Sequence, residues 1–179
     1  MGTGNQPETM LRFGRFLCRI IEIIKGKRYR STILSNIAFG AYNKRIKGDM
    51  TGNWQTSDEE ILEKIKDDPR ANYIFTVSAF RQLFETITYV KKKENINKIR
   101  KSLPVLVISG DEDPVGNYGK DVKKAYKALC KAGIWNVTLK LCEGDRHEVI
   151  NEKDRAEVYE YLYEWINKVA AQVKENTER

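Results

Sequence analysis

The sequence has one histidine, three cysteines and four prolines in 179 residues. A structural zinc site needs about four nitrogen or sulfur ligands. Cys18, Cys130 and Cys142 are scattered, no CxxC pair occurs and His147 stands alone, so a metal is not expected. The thiols read as the reduced cysteines of a cytoplasmic protein. No apolar run approaches bilayer length, so no stable membrane insertion is expected. The start, MGTGNQPETM, has no basic stretch leading into an apolar one, and no signal peptide is visible. Internal repeats and low-complexity linkers are missing as well. What is there, 41% apolar and 32% charged residues, belongs to a folded chain with room for a real core. The net charge is +7, with much of the excess in residues 1–50 and 91–101. That could attract nucleic acid or an anionic membrane. A solvated basic face explains it more simply, and no nucleic-acid partner is expected.

The first hundred residues read as helical. Met10, Phe13, Leu17, Ile20, Ile21 and Ile24 recur at helical spacing over 7–26, with Pro7 suited to the first turn and Gly26 to the stop. A second helix is expected over 31–39, then a polar loop over 40–56. Ser57 followed by Glu60 reads as a capping box ahead of Ile61, Leu62 and Ile65, in a helix that ends before Pro69. A further helix is expected over 73–90. At Leu103 the character changes. Val105, Leu106, Val107 and Ile108 read as a strand buried on both faces, and residues 117–132 as a helix capped by Gly133. Residues 137–142 alternate like an edge strand. Asn151 is expected to cap a long last helix. Strand, helix, strand and helix imply a parallel crossover. A strand buried on both faces needs neighbours on both edges, and only the 137–142 strand is available. The other edge is expected to be unpaired within this chain.

Chemistry concentrates at two places. Gly110-Asp111-Glu112-Asp113 sits at the C-terminal end of the buried strand, where open α/β sheets place their sites. Its acids can orient a histidine, bind Mg²⁺ or simply cap the following turn. The Mg²⁺ reading lacks a phosphate-binding glycine loop and any further acid cluster at suitable spacing. His147 favours the first reading. It follows the second strand by a short loop, and adjacent strand ends lie about 5 Å apart. Such a pair needs a nucleophile, and no G-x-S-x-G elbow occurs. The serines at 31, 35, 57, 78, 102 and 109 all lack that setting, and Cys18 reads as core.

The segments PVLVISGDEDPVGNYGKDVKKAYKALCKAG and VTLKLCEGDRHEVINE resemble the C-terminal part of α/β-hydrolases, nearest the lysophospholipase, monoacylglycerol lipase-like and serine aminopeptidase-like enzymes. AFGAYNKRI and GNWQTSDEEILEKIKDDPRANYIFTVSAFRQLF resemble the helical cap of that group, and GTGNQPE resembles the loop leaving its sixth strand. The resemblance implies an α/β fold in two parts, a helical cap over residues 1–100 and the end of the hydrolase core over 101–179. It implies a Ser-His-Asp mechanism in which His147 is the general base and Asp113 orients it, with Asp111 as second choice for the acid. The implied substrate is a carboxylic ester, such as a monoacylglycerol or lysophospholipid, and no cofactor is implied. Relatives carry a further N-terminal half with most of the sheet, the oxyanion loop and the nucleophile. The start at Met1-Gly2-Thr3-Gly4 therefore reads as an internal point of a longer enzyme, and the chain alone is expected to be inactive. A complementary N-terminal half would be its partner. The alternative is a non-catalytic interaction module that docks, or self-associates, through the open sheet edge.

Overall fold

A computed structural model describes residues 4–44, 46 and 53–177, with side chains through residue 174. The expected starting point at residues 1–3 and most of the polar loop at 45–52 lie outside the described residues. The element order is α1 (Glu8–Lys25), α2 (Thr32–Asn43), α3 (Glu59–Lys66), α4 (Val77–Val90), α5 (Lys93–Asn97), β1 (Val105–Gly110), α6 (Lys120–Lys131), β2 (Val137–Cys142) and α7 (Arg155–Thr177), with a 3₁₀ turn at Val149–Asn151 before the last helix.

The helices of the first part share one core. Leu11 and Cys18 of α1, Leu34 of α2, and Val77, Phe80 and Phe84 of α4 are buried together. Gly14 lets α1 approach α4 closely, because a Cβ there would lie 2.7 Å from the Phe84 ring. Full burial of a side chain such as Phe80 contributes roughly 2–3 kcal/mol. The link between α1 and α2 is pinned to the start of α4, where Val77 N donates to Tyr29 O at 2.8 Å beside an antiparallel bridge of Arg30 with Thr76.

The second part is built on β1 and β2, which pair in parallel from Val105↔Val137 to Gly110↔Cys142. Leu106 and Ile108 join Cys142, Val149, Val158, Tyr161 and Leu162 in a second core beneath α7. Helix α6 packs against both strands as well. Among the described residues the sheet has two strands, so β1 has a neighbour on one edge only.

Several boundaries differ from the sequence reading, each for a tertiary reason. Helix α2 runs on to Asn43 instead of stopping at Phe39, because Phe39 and Tyr42 both pack on Trp54 and hold the extra turn. Asp58, not Ser57, caps α3, its Oδ1 accepting from Glu60 N and Ile61 N. Ser57 is drawn away by a hydrogen bond to Glu152. Helix α4 begins at Val77, capped by Thr76 Oγ1. Asn151 lies in the 3₁₀ turn, bonded to Glu148, and caps no helix; α7 starts four residues later. The short helix α5 was not anticipated. Residues 117–119 precede α6 in left-handed backbone, with φ between 50° and 75°.

Candidate active site

Strand β1 ends at Gly110, and the next three residues carry the acids. Glycine is required there, because a Cβ would stand 2.0 Å from the carbonyl oxygen of Asp145. That contact lets the histidine loop cross the strand end. Asp111 fixes the crossing. Its Oδ1 accepts from Gly144 N at 2.8 Å, and its own amide donates to Cys142 O at 3.0 Å. Glu112 N donates to Asp145 O at 2.9 Å. Asp111 therefore holds the loop backbone and does not bond His147.

Asp113 is fully buried, and both oxygens of its carboxylate are held. Val115 N donates to Oδ1 at 2.8 Å, and Ser109 Oγ donates to Oδ2 at 3.2 Å. The same Oδ2 stands 3.1 Å from His147 Nδ1. A carboxylate at Nδ1 selects the tautomer protonated there and leaves Nε2 able to accept a proton. His147 is three-quarters buried. Trp54 packs on its ring with centroids 5.1 Å apart, at the end of an aromatic run through Phe39 and Phe80 from the first core.

The loop that bears His147 is bound to residues 53–58 by a polar seam. Arg146 Nη1 donates to Asn53 O and Thr56 O, at 2.7 and 3.0 Å, and also contacts Asn53 Oδ1. Glu148 N donates to Gln55 O at 2.7 Å, and Thr56 Oγ1 to Asn151 O at 2.8 Å. Fully buried Glu152 holds the centre of this seam. One oxygen accepts from Arg146 N, and the other from both the amide and the hydroxyl of Ser57. Arg155 closes the seam on Asp58 at 2.7 Å. Burial raises the Asp58 carboxyl, but hydrogen bonds from Arg155 and from the α3 amides outweigh it and leave the group below its ordinary value.

His147 and Val115 form one end of a cavity of about 270 Å³, whose other walls are mostly apolar helix residues, among them Leu11, Phe39, Phe84 and Ile87, with Gln6 and Trp54 beside them. The lining suits a hydrocarbon chain with a reacting group near the imidazole. Among the described residues, no serine hydroxyl bonds His147. The Cys18 and Cys142 thiols are pushed up to about 11, chiefly by burial, which leaves little thiolate for nucleophilic work. No group of His, Cys, Asp and Glu among the described residues is arranged to hold a metal.

The structure thus brings together Asp113 and His147, which the sequence had singled out, and adds Ser109, Trp54, Arg146 and Glu152, which it had not. Ser109 could have been found, because a hydroxyl in a strand buried on both faces must donate to something. The seam could not have been, since its partners lie ninety or more residues apart.

Two parallel strands, an acid after the first, a histidine after the second and a helical cap above them define part of the α/β-hydrolase fold. Comparison with known families agrees. The model of the family described as serine aminopeptidase, S33, matches residues 17–154, and the chain belongs to that family of hydrolases. A thermostable carboxyl esterase from Bacillus coagulans, solved with glycerol, superposes at a TM-score of 0.82 with 25% identity, over 94% of this chain and 55% of its own. A lipase in open form matches at 0.78 and 22% identity, over 92% and 54%. A monoacylglycerol lipase from Paleococcus ferrophilus matches at 0.61 and 12% identity, over 94% and 55%. The chain spans about half the length of these structures. No curated protein matches it.

Proposed function

We propose that the chain carries the acid and histidine of a serine-dependent ester hydrolase acting on lipid esters such as monoacylglycerols or lysophospholipids. The observation that carries this reading is the buried Asp113–His147 pair opening onto an apolar cavity under the helical cap. In the reaction, His147 Nε2 takes the proton of an attacking serine and returns it to the leaving alkoxide. Asp113 stabilises the imidazolium formed between those steps. The nucleophile comes from a G-x-S-x-G segment outside this sequence, and the cavity takes the acyl chain. The esterase and lipase names of the similar structures support the substrate class.

The test uses a fluorophosphonate probe, which labels activated serines. The chain alone stays unlabelled. Mixed with the part of the Bacillus coagulans esterase that this chain does not match, it restores labelling, and His147→Asn abolishes it. Labelling of any of the chain's own six serines would sink the proposal, as would labelling of the mixture that persists in the His147→Asn variant. A second reading, an interaction module docking through the free edge of β1, is favoured by the two-stranded sheet. It predicts a discrete stable oligomer with cooperative melting.

A further inference from the structure

Positive charge is concentrated on a face that the candidate site does not use. Residues 91–101 hold six basic side chains and one acid, and α6 holds five and one. These two stretches carry a net +9, against +7 for the whole chain. They pack together, α5 against α6. Among the described residues their only ion pair joins Lys124 to Asp121 at 2.8 Å. Lys92, Lys93, Lys98, Arg100, Lys127 and Lys131 are all exposed. Local structure explains only part of this. Lys131, in the last turn of α6, suits the helix dipole. Lys120 and Lys123 stand in the first turn of the same helix, where the dipole disfavours cations.

The same face has an apolar part. Trp135, in the turn that leads into β2, is 71% exposed. Its amide donates to Lys101 O at 3.3 Å, and Lys101 Nζ donates to Asn97 O at 2.7 Å, which joins it to the basic stretch. Between α5 and the end of α6 lies a cleft of about 250 Å³, lined by Ile96, Ala128 and Ala132 with Lys93 and Lys131 beside them. Apolar groups inside a charged rim are the anatomy of a protein interface, and tryptophan is enriched among the residues that carry binding energy there. The complement is a segment whose carboxylates meet the lysines and whose aliphatic side chain enters the cleft. A nucleic acid offers phosphates but no aliphatic side chain. A second copy meeting this face with its own would repeat the positive charge.

We infer that this face docks an acidic protein segment, with Trp135 as the anchor, Lys93 and Lys131 pairing with carboxylates and the cleft taking an aliphatic side chain. Residues 91–101 lead towards the N-terminal end of β1 and Trp135 towards that of β2, whereas Asp113 and His147 follow the C-terminal ends. Strands of six residues separate the two places by roughly 20 Å. A docked partner therefore leaves the cavity at His147 open, and the inference is independent of the ester-hydrolase reading.

The test is fluorescence anisotropy of a labelled peptide of glutamates and leucines titrated with the full chain. Polyglutamate of the same length, single-stranded DNA and phosphatidylglycerol vesicles serve as comparisons. The glutamate–leucine peptide binds, and binding falls as salt is raised. Polyglutamate binds about tenfold more weakly, because it leaves the cleft empty and Trp135 uncovered. Trp135→Ala weakens peptide binding about tenfold, and Lys93→Gln with Lys131→Gln about fivefold. All three side chains are exposed, so both variants keep the parental melting temperature. Should Trp135→Ala misfold, the lysine pair reads the same face through independent side chains. The inference is overturned if the peptide does not bind, if Trp135→Ala binds it as tightly as the parent, or if polyglutamate binds equally well. Tighter binding of the DNA or of the vesicles than of the peptide would assign the face to another class of partner. A self-associated chain that Trp135→Ala dissociates would equally overturn it.

Discussion

Asp145, two residues before His147, gives the chain a pH dependence opposite to that of an ordinary carboxylate. The residue is 4% exposed. Burial first, then the neighbouring carboxyls of Asp154 and Glu152, push it up to about 7 from an ordinary value of 3.8. The cause is visible in the packing. As carboxylates, Asp145 Oδ2 and Asp154 Oδ1 are both buried acceptors with no donor between them. A proton on Asp145 turns one of them into the donor.

The sign follows from linkage. The folded chain holds a proton that the unfolded chain has released, so this contribution is complete below about 3.8 and is lost as pH rises through about 7. At about 1.4 kcal/mol per pH unit, the loss between pH 5 and pH 8 is at most about 3 kcal/mol. Asp145→Asn keeps a donor towards Asp154 at every pH. The expected outcome is a stability gap that shifts in the variant's favour by up to about 3 kcal/mol between pH 5 and pH 8. Urea unfolding followed by circular dichroism reads both. Repeating the pair in a His147→Asn background takes the imidazole out of the comparison. Equal parental midpoints at pH 5 and pH 8 would refute the reasoning, as would an Asp145→Asn variant weakened equally at both. Because Asp145 O accepts from Glu112 N and packs on Gly110, the same titration loosens the loop that presents His147.

Two substitutions probe the surroundings of the pair. Gly110→Ala puts a Cβ 2.0 Å from the Asp145 carbonyl, so the loop must move off the strand end. A loss of about 3 kcal/mol is expected in the same urea assay, and a loss below 1 kcal/mol would show that the crossing is not tight. Glu152→Ala strips the partners from the amides of Arg146 and Ser57 and from the Ser57 hydroxyl. It should cost about 3 kcal/mol or more and raise amide hydrogen exchange in residues 53–58 and 146–151 together. Exchange confined to one of those segments would argue against a shared seam.

The strands were legible because a short β-branched run between Pro104 and Gly110 has few alternatives, and the alternation at 137–142 has a period of two. Once those strands were parallel neighbours, strand spacing let His147 reach an acid of the 111–113 turn. The choice between the acids came from a different source. A resemblance to α/β-hydrolases singled out Asp113, and the fold gives Asp111 the backbone of Gly144 instead of the imidazole. The competition for the α3 cap was not legible. Ser57 and Asp58 are both good capping residues, and the choice is made by Glu152, ninety-five residues further along the chain. The end of α2 was misread because Gly40 suggests a loop by propensity, whereas the rings of Phe39 and Tyr42 keep the helix going by packing on Trp54. Helix α5 spans five residues, too few to show a helical period.

The position of His147 is a joint property of the two parts of the chain. From the sheet side, Asp113 fixes Nδ1. From the cap side, Trp54 covers the ring. Between them, the loop itself is clamped by Arg146, Glu148 and Glu152 onto residues 53–58. An apolar joint would be stable but could slide. Hydrogen bonds to particular backbone atoms fix one register, since a shift of even one residue would leave Glu152 buried without its donors. On the proposed reading, any cap movement that admits a substrate takes place outside residues 53–58, in the helices α1, α2 and α4 that wall the cavity, while the segment touching His147 stays with the sheet. Access to the site and the geometry of its acid–histidine pair are in this way assigned to different parts of the same cap.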